Sequence, residues 1–381
     1  MIKNLQLRNK NTSKAKFNSS QQSPQEYDMV VFCHLRWEFV YQRPQHLISR
    51  MAQTKKVLFI EEPLNYNNDE SGSLGNLITI NENLHILQPK VKDIEAIARI
   101  IPRFIKSKSI GVGWFYSPAF SPLLNAFNFD TVVYDCMDEL SLFKGAPSFI
   151  IQAEKYLMAN ADIVFTGGKS LYESKKELHY NVHCFPSSVD TQHFSQDVNA
   201  MDIPADIANI KKPIVGYFGV IDERIDVQLL QNIALARPDV SFVMIGPLAK
   251  IEDKDLPKET NIYYLGMKKY SELPLYLKAF DIAMMPFALN DATKYISPTK
   301  TLEYMAAGKP IISTRIKDVE RDYKSCVHLV ETSAQFSDAI TAISGVENNL
   351  MLQCQYTDIL RQTSWDATVE KMSKILKDFA L

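Results

Sequence analysis

Short apolar runs alternate with segments of helical period along most of the chain, and this pattern predicts its secondary structure. The first run, Met29–Cys33 (MVVFC), is typical of a buried strand. A helix is predicted from about residue 44 to 52, and 57–60 is the next strand. A strand, a helix and a strand in this order form a βαβ unit, which begins a parallel sheet. The first loop has no glycine, so the pattern G-x-G-x-x-G is missing, which argues against a nicotinamide or flavin dehydrogenase.

The same alternation continues through the first half of the chain. Region 62–83 is polar and rich in turn-forming residues, so we expect a loop there, followed by a strand at 84–88. Residues 91–105 have a helical period, and their C-terminal part is basic. Such a helix can lie on a membrane surface, or its cations can face solvent and complement the helix C-terminus. Further strands are predicted at 131–134, 161–166 and 182–185, with helices at 147–159 and 169–177.

The polar stretch at 196–212 predicts a linker, and the alternation that restarts after it predicts a second α/β domain of similar size. Ligands of open α/β sheets bind at the carboxyl ends of the strands, so two such domains in tandem are expected to share a cleft. The predicted strands are 214–218, 241–245, 262–265, 282–287 and 310–313, and the predicted helices are 227–236, 273–279, 297–307, 338–344 and 366–379. We expect a disordered tail at 1–27 and domains at 28–205 and 206–363.

Composition excludes several classes of protein. The chain has 381 residues, of which 46% are hydrophobic and 23% charged, and a net charge of −2 gives no general attraction to nucleic acid. No apolar run is long enough for a membrane span, and the N-terminus lacks the apolar core of a signal peptide. Five cysteines without a C-x-x-C pair argue against a zinc site. We therefore expect a soluble, cytoplasmic protein with reduced thiols.

The stretch SPTKTLEYMAAGKPIIST (297–314) has clear signals for both ends of a helix. The Ser297 hydroxyl is predicted to cap the first free N–H groups, with Pro298 at the first helical position. Gly308, followed by Pro310, is a typical helix stop. About three helical turns and then a short β-branched strand are therefore expected.

Lys300 and Glu303 make this predicted helix a candidate binding site. Lys300 lies in the first turn, where free N–H groups and the positive end of the helix dipole favour an anion. Glu303 follows three residues later on the same face. A cation for phosphate and a carboxylate for hydroxyl groups suit a nucleotide-sugar. An ordinary ion pair on a surface helix is the alternative.

Six segments together resemble the GT-B-fold glycosyltransferases, in particular the large, group 1-like bacterial class that builds polysaccharides and glycolipids. The resemblance covers about residues 28–381 and is strongest in the C-terminal half. The segments are FVYQRPQHL (39–47), VVYDCMDELSLF (132–143), GYFGVIDERIDVQLL (216–230), YLGMKKYSELPLYLKAFDIAMMPF (264–287), SPTKTLEYMAAGKPIIST (297–314) and SWDATVEKMSKIL (364–376).

The resemblance implies two Rossmann-like, doubly wound α/β domains that face a cleft, with a C-terminal helix (364–381) crossing back to the N-terminal domain. It also implies a metal-independent hexosyltransferase that needs no cofactor beyond its donor. The sugar is expected to move from a UDP- or GDP-linked donor to a glycan or lipid-linked acceptor, in surface polysaccharide or glycoconjugate synthesis. Contact with the inner face of the membrane would be peripheral.

The family's best-known signature has two glutamates eight residues apart. Glu303 stands at the second position, whereas Tyr295 occupies the first. A branch with the motif Ser-Pro-x-Lys, similar to the xanthan-pathway glucuronosyltransferase, uses that lysine on the pyrophosphate, and Lys300 stands there. The resemblance therefore assigns Lys300, with the Ser297 and Thr299 hydroxyls, to the diphosphate, and Glu303 to the ribose hydroxyls.

Two other segments complete the expected donor site. Gly219 begins a loop in which relatives bring backbone close to the phosphates, and glycine permits close approach. Relatives often have basic residues in this loop, and here Arg224 is a nearby substitute. Met267 lies in the segment whose backbone touches the nucleobase in the family. A plain turn is the alternative for both loops.

The acceptor side is expected in the N-terminal domain. Sugar transfer to a hydroxyl needs a group that takes its proton, and we assign this role to Asp138, just past a strand end. Asp135 and Glu139 are competitors, and helix capping is the alternative role. Acceptor contacts are predicted from the loop after the first strand, through a flat ring for stacking on sugar and cations for an acidic acceptor. These residues are His34, Arg36, Trp37 and Arg43.

Three functions remain open on the sequence. The first is the glycosyltransferase described above. The second is a nucleotide-sugar 2-epimerase of the same fold, although the chain lacks the patterns of that family. The third is a protein that binds nucleotide-sugar without catalysis, which Tyr295 and the missing basic loop residues allow.

Overall fold

Two β-sheets, one in each half of the chain, organise the protein. The computed structural model describes residues 23–63, 74–196, 202–345 and 350–379. Within these residues, eight strands form the N-terminal sheet in the order β3-β4-β2-β1-β5-β6-β7-β8, and only β3 is antiparallel to its neighbour. The strands are β1 (Met29–Cys33), β2 (Val57–Glu61), β3 (Gly75–Asn81), β4 (Leu84–Pro89), β5 (Ser109–Phe115), β6 (Asn128–Cys136), β7 (Ile163–Thr166) and β8 (Val182–Cys184).

The central strands of this sheet are buried along their whole length. Every residue of β1, β2 and β7 is buried, because helices and loops cover both faces of a parallel sheet. One core cluster lies on each face of the sheet. The helices of this half are α1 (Arg43–Met51), α2 (Ile97–Ile100), α3 (Ile150–Asn160) and α4 (Lys169–Lys175).

The C-terminal sheet is parallel throughout its described strands, in the order β11-β10-β9-β12-β13-β14. Two short helices connect the sheets, α5 (Thr191–Phe194) and α6 (Ala205–Ala208). The strands are β9 (Ile214–Phe218), β10 (Ser241–Ile245), β11 (Ile262–Gly266), β12 (Ile282–Met285), β13 (Ile311–Thr314) and β14 (His328–Val330). The helices are α7 (Val227–Ala236), α8 (Leu273–Ala279), α9 (Thr299–Ala306), α10 (Lys317–Tyr323), α11 (Ser333–Ser344), α12 (Leu350–Leu360) and α13 (Trp365–Phe379).

Helix α13 returns to the N-terminal domain, as the resemblance implies. Its apolar face, through Trp365, Met372 and Leu376, is buried in a core cluster of the N-terminal sheet. Outside that face, Arg50 of α1 pairs with Asp366 at 2.6 Å. The predicted fold class of two parallel-sheet α/β domains with a crossing helix is confirmed.

Most predicted strands occur within a residue or two of their expected bounds, but in the N-terminal half two predictions are wrong and one strand was missed. The expected loop at 62–83 contains the edge strand β3, a partly exposed strand that begins with glycine and ends with asparagine, both residues typical of turns. The expected helix at 91–105 is reduced to α2 and one 3₁₀ turn (Ile101–Arg103). Asp93 accepts the Ala96 N–H at 2.8 Å, and Pro102 has no N–H to continue a helix. Strand β5 contains two glycines and was not predicted.

The predicted tail and linker are partly ordered. Tyr27 is buried and Gln25 forms a β-bridge with Ile105, so order begins before residue 28. Residues 1–22 of the predicted tail lie outside the described residues. The predicted linker at 196–212 includes α6, and 197–201 are likewise outside the described part of the chain.

Candidate active site

The carboxyl ends of the two sheets meet at a cleft of about 440 Å³. The N-terminal domain contributes the loop after β1 and the residues after β6 and β7 to its walls. The C-terminal domain contributes the loops after β9, β10 and β11 and the first turn of α9. The lining includes Trp37, Tyr41, Arg43, Asp138, Gly219, Arg224, Gly246, Met267, Tyr270, Ser297, Thr299, Lys300 and Glu303.

Helix α9 begins one residue later than predicted. Pro298 is its N-cap residue, so the prediction that Ser297 caps the helix is wrong. The Ser297 carbonyl instead accepts a hydrogen bond from the Ser187 hydroxyl at 2.6 Å, and that hydroxyl lies 3.2 Å from the Thr299 Oγ1. The start of α9 is therefore held by the N-terminal domain, and no side chain caps its first N–H groups.

The end of α9 confirms the predicted stop at Gly308. This glycine has a φ of 68°, and its N–H donates to the Met305 carbonyl at 2.9 Å. The next N–H, from Lys309, donates to the Tyr304 carbonyl at 2.9 Å. These two bonds form the Schellman pattern that closes a helix on a left-handed residue.

Lys300 projects into the cleft without an anionic partner. Its Nζ lies 5.6 Å from the centre of the Tyr217 ring, and among the described residues no carboxylate comes within salt-bridge distance of it. Burial lowers the pKa of Lys300, and the nearby Glu303 opposes that shift. The ordinary surface ion pair that was the alternative for this helix is not formed.

Glu303 is a buried carboxylate one turn further along α9. Only 6% of the residue is exposed, and its carboxylate has no hydrogen-bond donor among the described residues. Burial raises the pKa of Glu303 to about 7, while the charge of Lys300 lowers it. An unmatched acceptor at the wall of a cavity is suited to ligand hydroxyl groups.

Gly219 provides the space that Lys300 occupies. Its φ is 139°, and a Cβ at this position would overlap the Lys300 side chain. The Gly219 N–H donates to the Ile245 carbonyl at 2.8 Å, so the residue offers close approach and not a free donor. A Cβ at Gly246 would in turn overlap the Gly219 carbonyl. The sequence carried the same strand-end signal for Gly246, which was not predicted as a site residue.

Asp138 is the free member of three neighbouring acidic residues. Asp135 is buried and pairs with Arg43 at 2.9 Å, and Glu139 pairs with Lys175 at 2.8 Å. Asp138 lines the cleft, its carboxylate has no partner among the described residues, and burial raises its pKa. It caps no helix, because the following 3₁₀ turn starts after Glu139. The geometry therefore favours Asp138 over both competitors.

Comparisons with known proteins find glycosyltransferases among the relatives of this chain. Residues 212–345 match the family model "Glycosyl transferases group 1". The chain is 26% identical to TuaH of Bacillus subtilis (strain 168), a glycosyltransferase assigned to teichuronic acid biosynthesis, over 68% of this chain and 70% of that protein. This protein is a glycosyltransferase with the GT-B fold, and its C-terminal domain is similar to the group 1 enzymes.

Solved structures match the fold over nearly the whole chain. Sucrose-phosphate synthase from Thermosynechococcus elongatus aligns with a TM-score of 0.66 at 14% identity, over 94% of this chain and 99% of that one. Anabaena HepE, in complex with UDP and glucose, aligns with a TM-score of 0.64 at 11% identity, over 92% and 100%. The α,α-trehalose-phosphate synthase of Burkholderia vietnamiensis aligns with 0.65 at 12% identity, over 93% and 99%.

In this glycosyltransferase, Arg224 reaches the cleft already neutralised. Its Nε and Nη2 donate to both oxygens of the Asp222 carboxylate, at 3.0 and 2.7 Å. The guanidinium carbon also lies 5.5 Å from the centre of the Phe143 ring in the N-terminal domain. Its predicted contact with the donor remains a prediction, as does that of Met267, which is 45% exposed at the rim.

The predicted acceptor loop is held by internal contacts. Glu61 accepts from the Arg36 guanidinium at 2.7 Å and from the Trp37 N–H at 2.8 Å. The Trp37 ring packs edge-on against Phe59, with ring centres 5.1 Å apart. The Nδ1 of His34 is buried without a partner, and burial lowers the pKa of this residue to about 4.

The Arg43 side chain also forms its hydrogen bonds within the N-terminal domain. Besides Asp135, it donates to the Phe185 carbonyl at 2.8 Å, and it is 6% exposed. Trp37 and Arg43 line the cleft, whereas His34 and Arg36 are not part of its lining. The structure thus brings two of the four predicted acceptor residues to the cavity, and their contact with an acceptor remains a prediction.

Tyr295, which replaces the expected acid, does not face the donor site. Its ring packs against a core cluster of the N-terminal domain, and the Lys294 ammonium lies 5.3 Å from its centre. A different tyrosine, Tyr270, lines the cleft and was not predicted. Its ring stacks between His193 at 4.2 Å and Tyr41 at 4.7 Å. No sequence signal marked it, because Tyr270 and its two partners come from three distant parts of the chain.

The described residues contain neither a cluster of metal ligands nor a helix that could span a membrane. Side chains of the metal-binding types form no cluster of three or more there. In the same part of the chain, no helix has the length and apolarity needed to cross a bilayer.

Proposed function

We propose that this glycosyltransferase moves a hexose from a UDP- or GDP-sugar to a hydroxyl group of a glycan or lipid-linked glycan, without a metal ion. The observation that carries the proposal is the pairing of Lys300 and Glu303. A cation and a carboxylate, both without partners, project from the first turns of one helix into one cavity.

The helix start and Lys300 suit the leaving diphosphate. Negative charge builds up on the phosphate oxygens as the bond to the sugar breaks, and fixed donors at that point stabilise the transition state. Lys300 supplies a positive charge, and the uncapped N–H groups of α9 supply further donors. Gly219, which has no side chain, leaves the space in which the Lys300 side chain lies.

Glu303 and Asp138 have different tasks in this scheme. Glu303 accepts hydrogen bonds from the ribose hydroxyls of the donor. Asp138 takes the proton from the acceptor hydroxyl as its oxygen bonds to the anomeric carbon, while the bond between that carbon and the diphosphate oxygen breaks. The raised pKa of Asp138 makes it a better base than a solvent-exposed aspartate.

The relatives support a role in polysaccharide synthesis. TuaH is assigned to teichuronic acid biosynthesis, and teichuronic acid is a polysaccharide. The HepE structure holds UDP and glucose. By this similarity we infer a nucleotide-sugar donor and a saccharide acceptor for the present chain.

Turnover of a panel of UDP- and GDP-sugars tests the proposal. The substitution Asp138→Asn is expected to lower turnover by at least about 10²-fold while donor affinity stays within twofold, because a general base contributes about 10²–10⁴ in rate. Asp130→Asn, at the exposed opposite end of β6, is the control. Unchanged turnover in Asp138→Asn would remove this residue as the base. Activity that persists in a chelator supports metal independence, and its loss contradicts it.

A further inference from the structure

The loop that carries Asp138 also contacts the C-terminal domain. It continues from Asp138 through one 3₁₀ turn (Leu140–Leu142) to Phe143. The centre of the Phe143 ring lies 4.4 Å from the Lys250 Nζ and 5.5 Å from the Arg224 guanidinium carbon, and both cations belong to the C-terminal domain. A cation near the face of an aromatic ring is attracted to it. The Phe143 ring therefore connects the loop of Asp138 to the opposite wall of the cleft.

Glu223 makes the other contact with this loop. Both of its carboxylate oxygens accept the Lys144 N–H, at 3.0 and 3.2 Å, and one of them lies 3.7 Å from the Lys250 Nζ. Only 12% of the Glu223 side chain is exposed. Hydrogen bonds to an ionised acceptor are stronger than those between neutral groups, so this contact fixes the main chain of the loop.

The three C-terminal residues of this contact are themselves held in place. The Arg224 carbonyl accepts the Ala288 N–H at 2.8 Å, and the Glu223 carbonyl accepts from the Asn290 side-chain amide at 3.3 Å. Lys250 has a φ of 60°, the only positive φ of a non-glycine residue in the described part of the chain. Such a backbone conformation is costly and persists only where surrounding contacts maintain it. The loop of Asp138 therefore rests against a fixed surface.

The contact lies next to the Asp138 carboxylate. Burial raises the pKa of Asp138, and the positive charges of Arg224 and Lys250 oppose that shift, so both cations act on this carboxylate. Only one 3₁₀ turn separates Asp138 from Phe143, so the position of the ring constrains that of the carboxylate. A general base must lie within hydrogen-bond reach of the proton it takes, and a misplacement of about 1 Å can cost about 10²-fold in rate.

We propose that Phe143 and Glu223 are positioning residues, which hold Asp138 in place for sugar transfer by fixing its loop to the C-terminal wall of the cleft. Neither residue needs to touch the substrate in this role. The inference rests on the proposed function, since the position of Asp138 matters to turnover only if Asp138 is the base. Without these contacts the donor binds as before, but proton transfer from the acceptor hydroxyl is slower.

Turnover and nucleotide binding, measured on the same variants, test the role of Phe143. Phe143→Leu keeps an apolar side chain but removes the aromatic face. With the donor that the panel of UDP- and GDP-sugars identifies, we expect about a tenfold lower kcat, while UDP or GDP affinity stays within about twofold of wild type. Phe143→Tyr keeps the aromatic face and should have a kcat within about twofold of wild type. A wild-type kcat in Phe143→Leu, or an equal loss in Phe143→Tyr, overturns the inference.

Glu223→Gln tests the second contact. Glutamine still accepts the Lys144 N–H but loses the negative charge, so we expect a kcat lower by about threefold to tenfold, again without loss of nucleotide affinity. Glu173→Gln is the matched control, since Glu173 also pairs across the domains, with Lys317 at 2.8 Å, but is not part of the cleft lining. Its kcat should stay within about twofold of wild type. Equal effects of the two substitutions contradict the inference.

A double substitution separates this inference from the proposed function. If Phe143 acts through Asp138, Phe143→Leu lowers kcat no further in an Asp138→Asn enzyme. A further tenfold loss there would mean that Phe143 acts independently of Asp138, and the inference would be wrong. If Asp138→Asn lowers turnover and Phe143→Leu does not, the inference fails while the base stands. If Asp138→Asn leaves turnover unchanged, the proposed base is wrong and the inference fails with it.

Discussion

The two walls of the cleft differ in how their charged residues are used. On the N-terminal side, Arg36 and Arg43 bind the buried carboxylates Glu61 and Asp135. On the C-terminal side, Lys300 and Glu303 have no partners, although both are in α9 and largely removed from solvent. The charges of the N-terminal wall hold its loops in place, whereas those of α9 are left for a ligand.

This difference shows that residue type at a strand end does not by itself reveal function. Arginines and a carboxylate in the N-terminal loops have the composition of a binding site, yet their hydrogen bonds are internal. Unsatisfied charge in a cavity is the more informative feature, because buried polar groups are otherwise almost always paired. Substitutions in the N-terminal wall should therefore lower stability, and those around Lys300 should lower donor affinity.

The largest effect is expected for Arg43→Ala. It leaves the Asp135 carboxylate buried and uncompensated, which costs about 3–5 kcal/mol of unfolding free energy. Arg36→Ala is the control and should cost about 1–2 kcal/mol, since Glu61 keeps its bond from the Trp37 N–H. Urea unfolding measures both. A loss below about 1 kcal/mol for Arg43→Ala would mean that the pair does not hold the N-terminal wall.

Gly219→Ala should affect both stability and binding. The added methyl group would overlap the Lys300 side chain, and the φ of 139° at this position is unfavourable for residues other than glycine. We expect the two effects together to lower the free energy of unfolding by about 2–3 kcal/mol. UDP or GDP affinity should fall with it, because Lys300 is displaced. Gly145→Ala is the control: its φ is 75°, but nothing lies within 4 Å of its Cβ position. Equal effects of the two substitutions would contradict the role given to Gly219.

The pH dependence of stability should report on Glu303. Its pKa is about 7 in the folded enzyme and near 4.5 when unfolded, so the folded state holds the proton more tightly. Its contribution therefore makes stability fall as pH rises from about 4.5 to about 7. Glu303→Gln should remove this decline and raise the unfolding free energy at pH 8 by on the order of 2 kcal/mol. A parallel decline in both proteins would show that Glu303 ionises normally.

The smallest effect is expected at Tyr295. Tyr295→Ala removes apolar packing against the N-terminal core and should cost about 1 kcal/mol of stability. UDP or GDP affinity should remain within about twofold, because the ring faces away from the donor site. A tenfold loss of nucleotide affinity would place Tyr295 in the donor site instead.

The sequence predicted the architecture well because apolar runs and glycine or proline signals are local. β9, β10, α7 and α8 have the predicted bounds, and the stop at Gly308 depends on adjacent residues. The prediction that Ser297 caps α9 was wrong for a non-local reason. The hydroxyl of Ser187, more than a hundred residues away in the chain, donates a hydrogen bond to the Ser297 carbonyl. Where the partner is distant in sequence, a local signal cannot decide the geometry.

The candidate site shows the same limit. The sequence identified Lys300, Glu303, Gly219 and Asp138 as site residues. It could not show which charged side chains of the cleft are paired with an opposite charge. Whether Arg43 is free depends on Asp135, 92 residues away, and the stack around Tyr270 joins three separate segments. Partner identity is a property of packing, and packing appears only once the two domains are assembled.

Calorimetric titration of UDP or GDP into wild type and Lys300→Ala tests the central claim most directly. The charge-assisted contact to phosphate is worth about 1.5–3 kcal/mol, so we predict about 10- to 150-fold weaker binding in Lys300→Ala. Lys294→Ala, on the exposed residue beside Tyr295, should bind within twofold of wild type. If Lys300→Ala binds the nucleotide as tightly as wild type, the donor's phosphates are not held at α9, and the account of the C-terminal wall is wrong.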